Sequence, residues 1–298
     1  MKLLFTGASG FLGAHLKPLL QIVFQVKTMG LMDEDDYKVN LATTIPDIQE
    51  EFDVVLHAAG KAHMIPKTES EKKAFFDVNF QGTVNLCKAL ENSCVPKAFI
   101  FISTVAVYGL EFGENIIEEH PLNGDTPYAL SKIQAEKYLT DWCAQSNVTL
   151  GIIRPSLIAG PNPPGNLGDM IRGIKTGKYL SIAGGKARKS VLMVEDIDRL
   201  ILPLMEKGGV YNVCDDSQPT FRELEILISK QLGLRTPISI PFWLAKSMAL
   251  VGDLLGKKAP INSLKLKKIT ESLTFSNEKA MRELNWQPLN VLENFKIQ

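Results

Sequence analysis

Three observations in this 298-residue sequence predict an α/β fold with a doubly wound parallel sheet. An apolar run, Leu3-Leu4-Phe5, opens the chain and meets a turn with glycines at positions 7, 10 and 13, followed by a helical pattern. Asp53 to His57 (DVVLH) and Ala98 to Ile102 (AFIFI) are continuous apolar runs of strand length, as in parallel strands covered on both faces. Stretches with apolar residues at helical spacing separate these runs, so strands and helices alternate.

The first unit reads as strand, glycine turn, helix. Gly7 permits a sharp exit from the strand, Gly10 lets backbone approach a phosphate with no Cβ in the way, and Gly13 lets the helix sit close on the sheet. Ser9 belongs to the same turn, and the N–H groups near Phe11 and Leu12 face an anion such as a pyrophosphate, helped by the helix dipole. The spacing is GxxGxxG, which taken alone also fits a tight turn with no ligand. Its place after an N-terminal apolar strand favours a dinucleotide.

The helix ends near Leu20, and Val23 to Val26 reads as a second strand closing on Lys27-Thr28-Met29-Gly30. An acid at that strand end would take ribose hydroxyls and an arginine a 2′-phosphate. Neither signal is clear, so NAD and NADP both stand, and Asp33 to Asp36 reads as a solvated loop. After the DVVLH strand, Ala58-Ala59-Gly60 leaves room for a flat group, or simply packs as a small-residue turn. His57 and His63 have no Asp or Cys partner at a recognisable spacing and read as structural or substrate-lining. Glu69 to Asn92 has helical periodicity with polar Asn79 inside it, which needs partners if buried.

The AFIFI strand ends in Ser103-Thr104, hydroxyls at the edge where open α/β sheets place ligands. A loop from Gly109 to Thr126 follows. Thr126-Pro127 then supplies an N-cap and a first-turn proline for a helix that carries Tyr128 and Lys132 four residues apart, on one face. A free phenol is a poor base at neutral pH. An ammonium and an oxidised nicotinamide nearby favour the phenolate, so that Tyr128 can take a proton from an alcohol while hydride leaves its carbon. Thr104 would hydrogen-bond the same oxygen. YxxxK alone is a frequent accident, and only its place after a glycine fingerprint and a hydroxyl-tipped strand gives it weight.

Together these segments resemble the extended short-chain dehydrogenases, the NAD-dependent epimerase/dehydratase family acting on nucleotide sugars. TGASGFLG (6 to 13), HAAG (57 to 60), NFQGT (79 to 83), STVAVYG (103 to 109), PYALSK (127 to 132), IIRP (152 to 155), VEDI (194 to 197), YNVC (211 to 214) and LNWQP (284 to 288) fall in family order. The resemblance implies a Rossmann-type cofactor domain and a smaller, mostly C-terminal α/β substrate domain, with the nucleotide sugar between them. It implies Thr104, Tyr128 and Lys132 as the catalytic set, Lys132 also holding the nicotinamide ribose, and Ala58, Ala59, Gly60, Asn79 and Pro155 near the cofactor, NAD or NADP. Dehydratase relatives place Asp-Glu after the threonine, where this chain has Val105-Ala106. Redox at one carbinol remains, as a 4-epimerase or a 4-ketoreductase. GNL (165 to 167) and KARKSVLMVED (186 to 196) look most like the branch serving bacterial surface polysaccharide, while Leu157 stands where many relatives carry an Asn that touches the sugar. Two other readings are a cofactor-sensing or scaffold protein on the same fold and a dehydrogenase of a non-sugar alcohol.

Pro161 to Gly165 (PNPPG) reads as the crossing into the smaller domain, giving residues 1–160 plus about 190–214 to the cofactor domain and 161–189 plus 215–298 to the substrate domain. Asn166, at the start of a helix reaching about Thr176, suits a diphosphate or a base edge. Arg188 and Lys189 follow Gly184-Gly185, and by resemblance Lys189 supplies the cation on the diphosphate. Val194 to Met205 and Val210 to Val213 are expected to return to the sheet.

Charge is balanced, 33 basic against 33 acidic residues, which gives no reason to expect nucleic acid as a partner. Cys87, Cys94, Cys143 and Cys214 lie far apart with no zinc-type spacing, so no metal is expected and reduced thiols of a cytoplasmic protein are. No signal peptide is expected. The longest apolar stretch, Ile238 to Leu255, is interrupted by Pro241, Lys246 and Asp253. Its Phe242, Trp243, Met248 and Val251 are expected on the core or against a second subunit rather than across a bilayer, and the expected assembly is a homodimer.

Overall fold

The computed structural model describes residues 1–62, 64–255 and 261–297. These residues build a seven-stranded sheet from β1 (Lys2–Thr6), β2 (Gln25–Gly30), β3 (Tyr37–Lys38), β4 (Val54–His57), β5 (Ala98–Ile102), β6 (Thr149–Pro155) and β7 (Gly209–Val213). All its pairings are parallel, in the spatial order β7-β6-β5-β4-β1-β2-β3. The order runs one way from β1 to β3 and the other way from β4 to β7, so the chain reverses between β1 and β4. There Thr6 stands opposite His57 in register. The crevice outside such a reversal is where an open α/β sheet binds its ligand.

The helices in chain order are α1 (Phe11–Val23), α2 (Glu69–Phe76), α3 (Gly82–Asn92), α4 (Pro127–Ser146), α5 (Gly165–Lys175), α6 (Asp198–Lys207), α7 (Phe221–Leu232), α8 (Phe242–Leu255), α9 (Ser263–Thr270), α10 (Glu278–Leu284) and α11 (Val291–Asn294). Strand alternation sorts the apolar residues between two layers of them. Leu3, Phe5, Leu56 and Ile100 pack with Leu16 of α1, Leu200 and Leu204 of α6 and Leu284 of α10. Leu4, Val55, Phe99 and Phe101 pack with Leu86 and Leu90 of α3 and with Leu139 and Trp142 of α4. Each large apolar side chain buried this way contributes about 1.5–3 kcal/mol. That two-sided burial is why β5 is apolar at every position.

The smaller domain has its own core, in which Leu167, Met170 and Ile174 of α5 meet Leu224 and Ile228 of α7 and Val291 and Phe295 near the C-terminus. Two-residue or three-residue ladders tie it to the rest. Leu157–Ala159 pairs with Val191–Met193, and Gly113–Ile116 pairs with Leu273–Phe275.

Several local expectations change. Val23 ends α1 rather than opening β2, which spans Gln25–Gly30; Ile22 and Val23 are apolar yet 81% and 50% exposed, so they mimic a buried strand without being one. Asp36 lies in an exposed loop as expected, and it also accepts the Thr28 N–H at 2.8 Å and pairs with Lys27 at 2.9 Å, stapling β2. The helix expected from Glu69 to Asn92 is interrupted at Asp77–Gln81 by a π turn that carries Asn79. Val194 to Met205 does not return as a strand: it is a short 3-10 turn and most of α6, and only Gly209–Val213 joins the sheet. The loop from Gly109 to Thr126 contains the strand Gly113–Ile116. Phe242, Trp243, Met248 and Val251 lie on no core and are 40–68% exposed.

Candidate functional site

At the reversal between β1 and β4 the strand ends open into a cleft of about 290 Å³. One wall is the glycine turn. Gly7 has φ +80°, and a Cβ on it would stand 2.6 Å from the Ala59 nitrogen; a Cβ on Gly13 would stand 2.2 Å from the Gly7 carbonyl oxygen. Only glycine permits both contacts, which close the turn and press α1 onto the sheet. Gly10 is the N-cap of α1, no side chain caps that helix start, and no acidic residue occupies its first turn. A helix start left this way suits an anionic diphosphate.

The floor is set by a chain of hydrogen bonds through His57. The Ala59 N–H donates to Thr6 Oγ1 (3.2 Å), and Thr6 Oγ1 lies 2.6 Å from His57 Nδ1. His57 Nε2 lies 2.9 Å from Thr83 Oγ1, which donates to the Asn79 carbonyl at 2.7 Å. Because Thr83 spends its proton on that carbonyl, it accepts from His57, and His57 is the neutral Nε2–H tautomer. Burial agrees, pushing the imidazole from 6.5 down to about 3. His57 is therefore structural; His63 lies outside the described residues.

A depressed folded-state pKa places this stability fully above pH 6.5, the unfolded value, and drains it as pH falls toward 3. The expected slope is about 1.4 kcal/mol per pH unit. Denaturation at pH 7 and pH 5 should show the natural chain losing about 2 kcal/mol more than a His57→Gln variant, which does not titrate there.

Asn79 spends both amide protons and one oxygen lone pair within the fold. Its Oδ1 accepts the Lys61 N–H at 2.6 Å, and its Nδ2 donates to the Lys61 carbonyl and to Ser131 Oγ (2.9 Å). It thus locks the loop after β4 to α4 from beneath. Gly60 completes that lock, since a Cβ there would press on Asn79 Oδ1 and Lys132 Nζ.

The opposite wall carries Thr104, Tyr128 and Lys132. Thr126 caps α4 by accepting the Ala129 N–H at 3.1 Å, which fixes Tyr128 in its first turn. The Tyr128 side chain is half-buried, burial pushes its phenol above the usual value, and a hydrogen bond with Thr104 pulls the other way. Lys132 is buried, donates to the Ile102 carbonyl at 2.7 Å and sits over the Phe101 ring at 4.5 Å. Burial lowers its ammonium to about 8 against the opposing charge of Glu136. Here the Lys132 ammonium is directed at the Ile102 carbonyl, and the expected lowering of Tyr128 belongs to Lys132 acting together with an oxidised nicotinamide. Ser103 and Thr104 both line the cleft, but Ser103 donates its hydroxyl proton to Glu136, which leaves that proton unavailable to a ligand.

Behind this wall lies a buried polar network. Arg154 holds both oxygens of Glu136 (3.1 and 2.6 Å) and donates to the Tyr108 hydroxyl at 3.0 Å, which donates to Asn212 Oδ1 at 2.7 Å.

The structure brings Gly7, Gly10, Phe11, Leu12, Gly13, Ala58, Gly60, Thr104, Tyr128, Lys132 and Pro155 to one cleft. Ser9 is exposed on the glycine turn, and Ala59 and Asn79 support the lining from behind. Asn166 is exposed in the first turn of α5, beside Pro164 at the cleft rim. Arg188 and Lys189 stand away from the lining, donating to the carbonyls of Gln218 (2.9 Å) and Glu271 (3.0 Å).

Lys61 and Ser156 are polar lining residues that went unread in the sequence. Each directly follows a residue that was singled out, Gly60 and Pro155. Ser156 Oγ is buried without a hydrogen-bond partner, and such a group is costly unless a ligand satisfies it. Ser156→Ala should leave the melting temperature unchanged and weaken cofactor or substrate binding about fivefold, the worth of one neutral hydrogen bond, read by calorimetry.

Comparison with known proteins fits this geometry. A model of the NAD dependent epimerase/dehydratase family matches residues 3–214, well over half of the chain. The chain belongs to that family. It is 31% identical to the N-acetyl-alpha-D-glucosaminyl-diphospho-ditrans,octacis-undecaprenol 4-epimerase of Escherichia coli O157:H7, over 93% of this chain and 87% of that protein. It is 28% identical to the UDP-glucose 4-epimerase of Vibrio cholerae, over 99% and 93% of the two chains. Among solved structures, the UDP-glucuronic acid 4-epimerase of Bacillus cereus in complex with NAD superposes with TM-score 0.73 at 18% identity, covering 99% of this chain and 93% of that one. At that identity the likeness speaks for the fold.

Proposed function

We propose that this family member is an NAD- or NADP-dependent 4-epimerase or 4-ketoreductase of a sugar held through a diphosphate. A bound nicotinamide would take up and return the hydride; the chain supplies proton transfer and orientation. Gly7, Gly10 and the start of α1 would hold the cofactor diphosphate, Ala58 to Gly60 its flat portions, and Ser156 a polar edge. Tyr128 would exchange the proton of the reacting carbinol, Thr104 would direct the carbinol oxygen, and Lys132 would hold the nicotinamide ribose. Asn166, Arg188 and Lys189 are the candidates for the substrate diphosphate, on the smaller domain divided as 161–189 plus 215–298.

The observation that carries this reading is that Thr104, Tyr128 and Lys132 meet in one cleft whose described lining contains no carboxylate. Redox at one carbinol needs a single acid/base group, whereas loss of water needs a second. The relatives point to two substrate carriers, a nucleotide and a polyprenyl diphosphate, and the test uses both. Purified protein with NAD is given UDP-N-acetylglucosamine or its polyprenyl-diphosphate counterpart, and the C4 epimer is sought by NMR. Protein with NADPH is given a UDP-4-keto sugar, and absorbance loss is followed. Activity in either arm supports the reading. Cofactor binding with silence in every arm would favour a cofactor-sensing protein, and turnover of apolar alcohols a non-sugar dehydrogenase. A cytoplasmic homodimer is part of the same proposal and is measured by sedimentation.

A further inference from the structure

Helix α8 is packed inside out for a surface helix. Ordinarily the large apolar residues face the core and the polar ones face water. Here Ala245 and Ala249 are fully buried and Gly252 is buried, four and then three residues on, so the inner face is made of small groups. That face meets Ile182 and Leu266. The outer face carries Phe242, Trp243, Met248, Leu250, Val251 and Leu254, all 40–88% exposed. Apolar surface concentrated like this marks an interaction site.

Along this stretch of the sequence lysines far outnumber acids. From Phe242 to Thr270 the chain has six lysines and one acidic residue, Asp253, in a protein whose formal net charge is zero. Of the described ones Lys246 is exposed on α8, while on α9 Lys267 sits over the Phe112 ring at 4.4 Å and Lys268 pairs with Glu111 at 3.3 Å. Asp253 accepts the Ser263 N–H at 3.0 Å, joining α8 to α9. Helix α9 packs on α8 and places Leu264, 53% exposed, in the same turn as Lys265 and Lys267. An exposed apolar face rich in Trp, Phe and Leu with lysines alongside is the pattern of a helix that lies in a membrane interface. Fourteen residues reach about 21 Å, too short for a hydrocarbon core of about 30 Å.

We propose that the α8–α9 face docks this protein on the surface of an anionic bilayer, the apolar side chains entering the headgroup boundary and the lysines meeting lipid phosphates. A second copy of the chain is the poorer occupant, because a two-fold contact would set one lysine-rich face against another. The proposal goes beyond the reading of the cleft and does not depend on it. A docked enzyme would meet a lipid-carried sugar without leaving the surface.

Trp243 is a built-in reporter, being 68% exposed while Trp142 and Trp286 are buried. The full chain is mixed with phosphatidylcholine vesicles with and without phosphatidylglycerol, and flotation is followed together with tryptophan emission. The expected result is flotation with the anionic vesicles, a blue shift, protection from acrylamide, and loss of binding at high salt. Trp243→Ser with Leu254→Ser should weaken binding about tenfold at an unchanged melting temperature, and Lys267→Gln with Lys268→Gln should remove the preference for anionic lipid. No flotation with anionic vesicles overturns the proposal. So does flotation indifferent to both double variants, or a dimer that the Trp243→Ser, Leu254→Ser change dissociates while vesicle binding is unaltered. Because the readout is binding, its failure leaves the proposed chemistry standing, and failed turnover leaves the docking result standing.

Discussion

Tyr128→Phe is expected to lower kcat by about a thousandfold while the cofactor binds as before. The ring would remain in place, because its packing against Phe75, with centroids 6.2 Å apart, needs no hydroxyl. What disappears is the one phenol in the cleft. The other titratable groups of the described lining are Lys61 and Lys132, and Lys132 already donates to the Ile102 carbonyl. No lining carboxylate stands ready to take over, so little residual proton transfer is expected. Thr104→Ala should cost less, because it leaves the proton carrier and removes only an orienting hydrogen bond. The pH profile should bear the same signature. With burial holding the phenol protonated, the oxidative half-reaction should speed up as pH rises, until Lys132, lowered to about 8, loses its charge and its hold on the ribose. Single-turnover hydride transfer measured across pH 6 to 10 tests both limbs. A Tyr128→Phe enzyme with near-normal turnover would remove Tyr128 from the chemistry altogether.

How much of this was legible in the sequence depended on the range of the forces involved. Strands β1, β4 and β5 were read almost to the residue, since two-sided burial writes itself as an unbroken apolar run. The cap at Thr126 and the glycines of the first turn were legible for a similar reason: each obeys a rule that spans a few residues. The end of α1 was misread because Ile22 and Val23 are apolar but exposed, and composition does not report exposure. The π turn at Asp77–Gln81 leaves no trace in periodicity. Asn79 drew notice as a polar residue in an apolar helix, yet its partners, Lys61 and Ser131, sit 18 and 52 residues away and only the fold unites them. Ser156 illustrates the limit most plainly. Its sequence neighbours reveal nothing, and what marks it is a buried hydroxyl with no partner.

Arg154→Met is expected to cost about 3–5 kcal/mol of stability, the usual penalty for leaving one half of a buried ion pair. Both side chains are about 5% exposed, so solvent gives the stranded Glu136 little relief. Ser103 and Arg154 are the groups that satisfy Glu136, and Arg154 also supports the Tyr108 hydroxyl that reaches Asn212 on β7. The network therefore braces β5, α4, β6 and β7 behind the cleft. Replacing both partners, Arg154→Met with Glu136→Leu, should recover much of the loss, because no charge is then left buried. Urea denaturation of the two single variants and the double variant closes the cycle. The double variant should nevertheless carry a catalytic defect. Glu136 sits one helical turn from Lys132 and its charge raises the ammonium, so without it burial acts on Lys132 unopposed. The alkaline limb of turnover should then move to lower pH even where stability is regained. A double variant that is stable and keeps the natural pH profile would confine Glu136 and Arg154 to the fold.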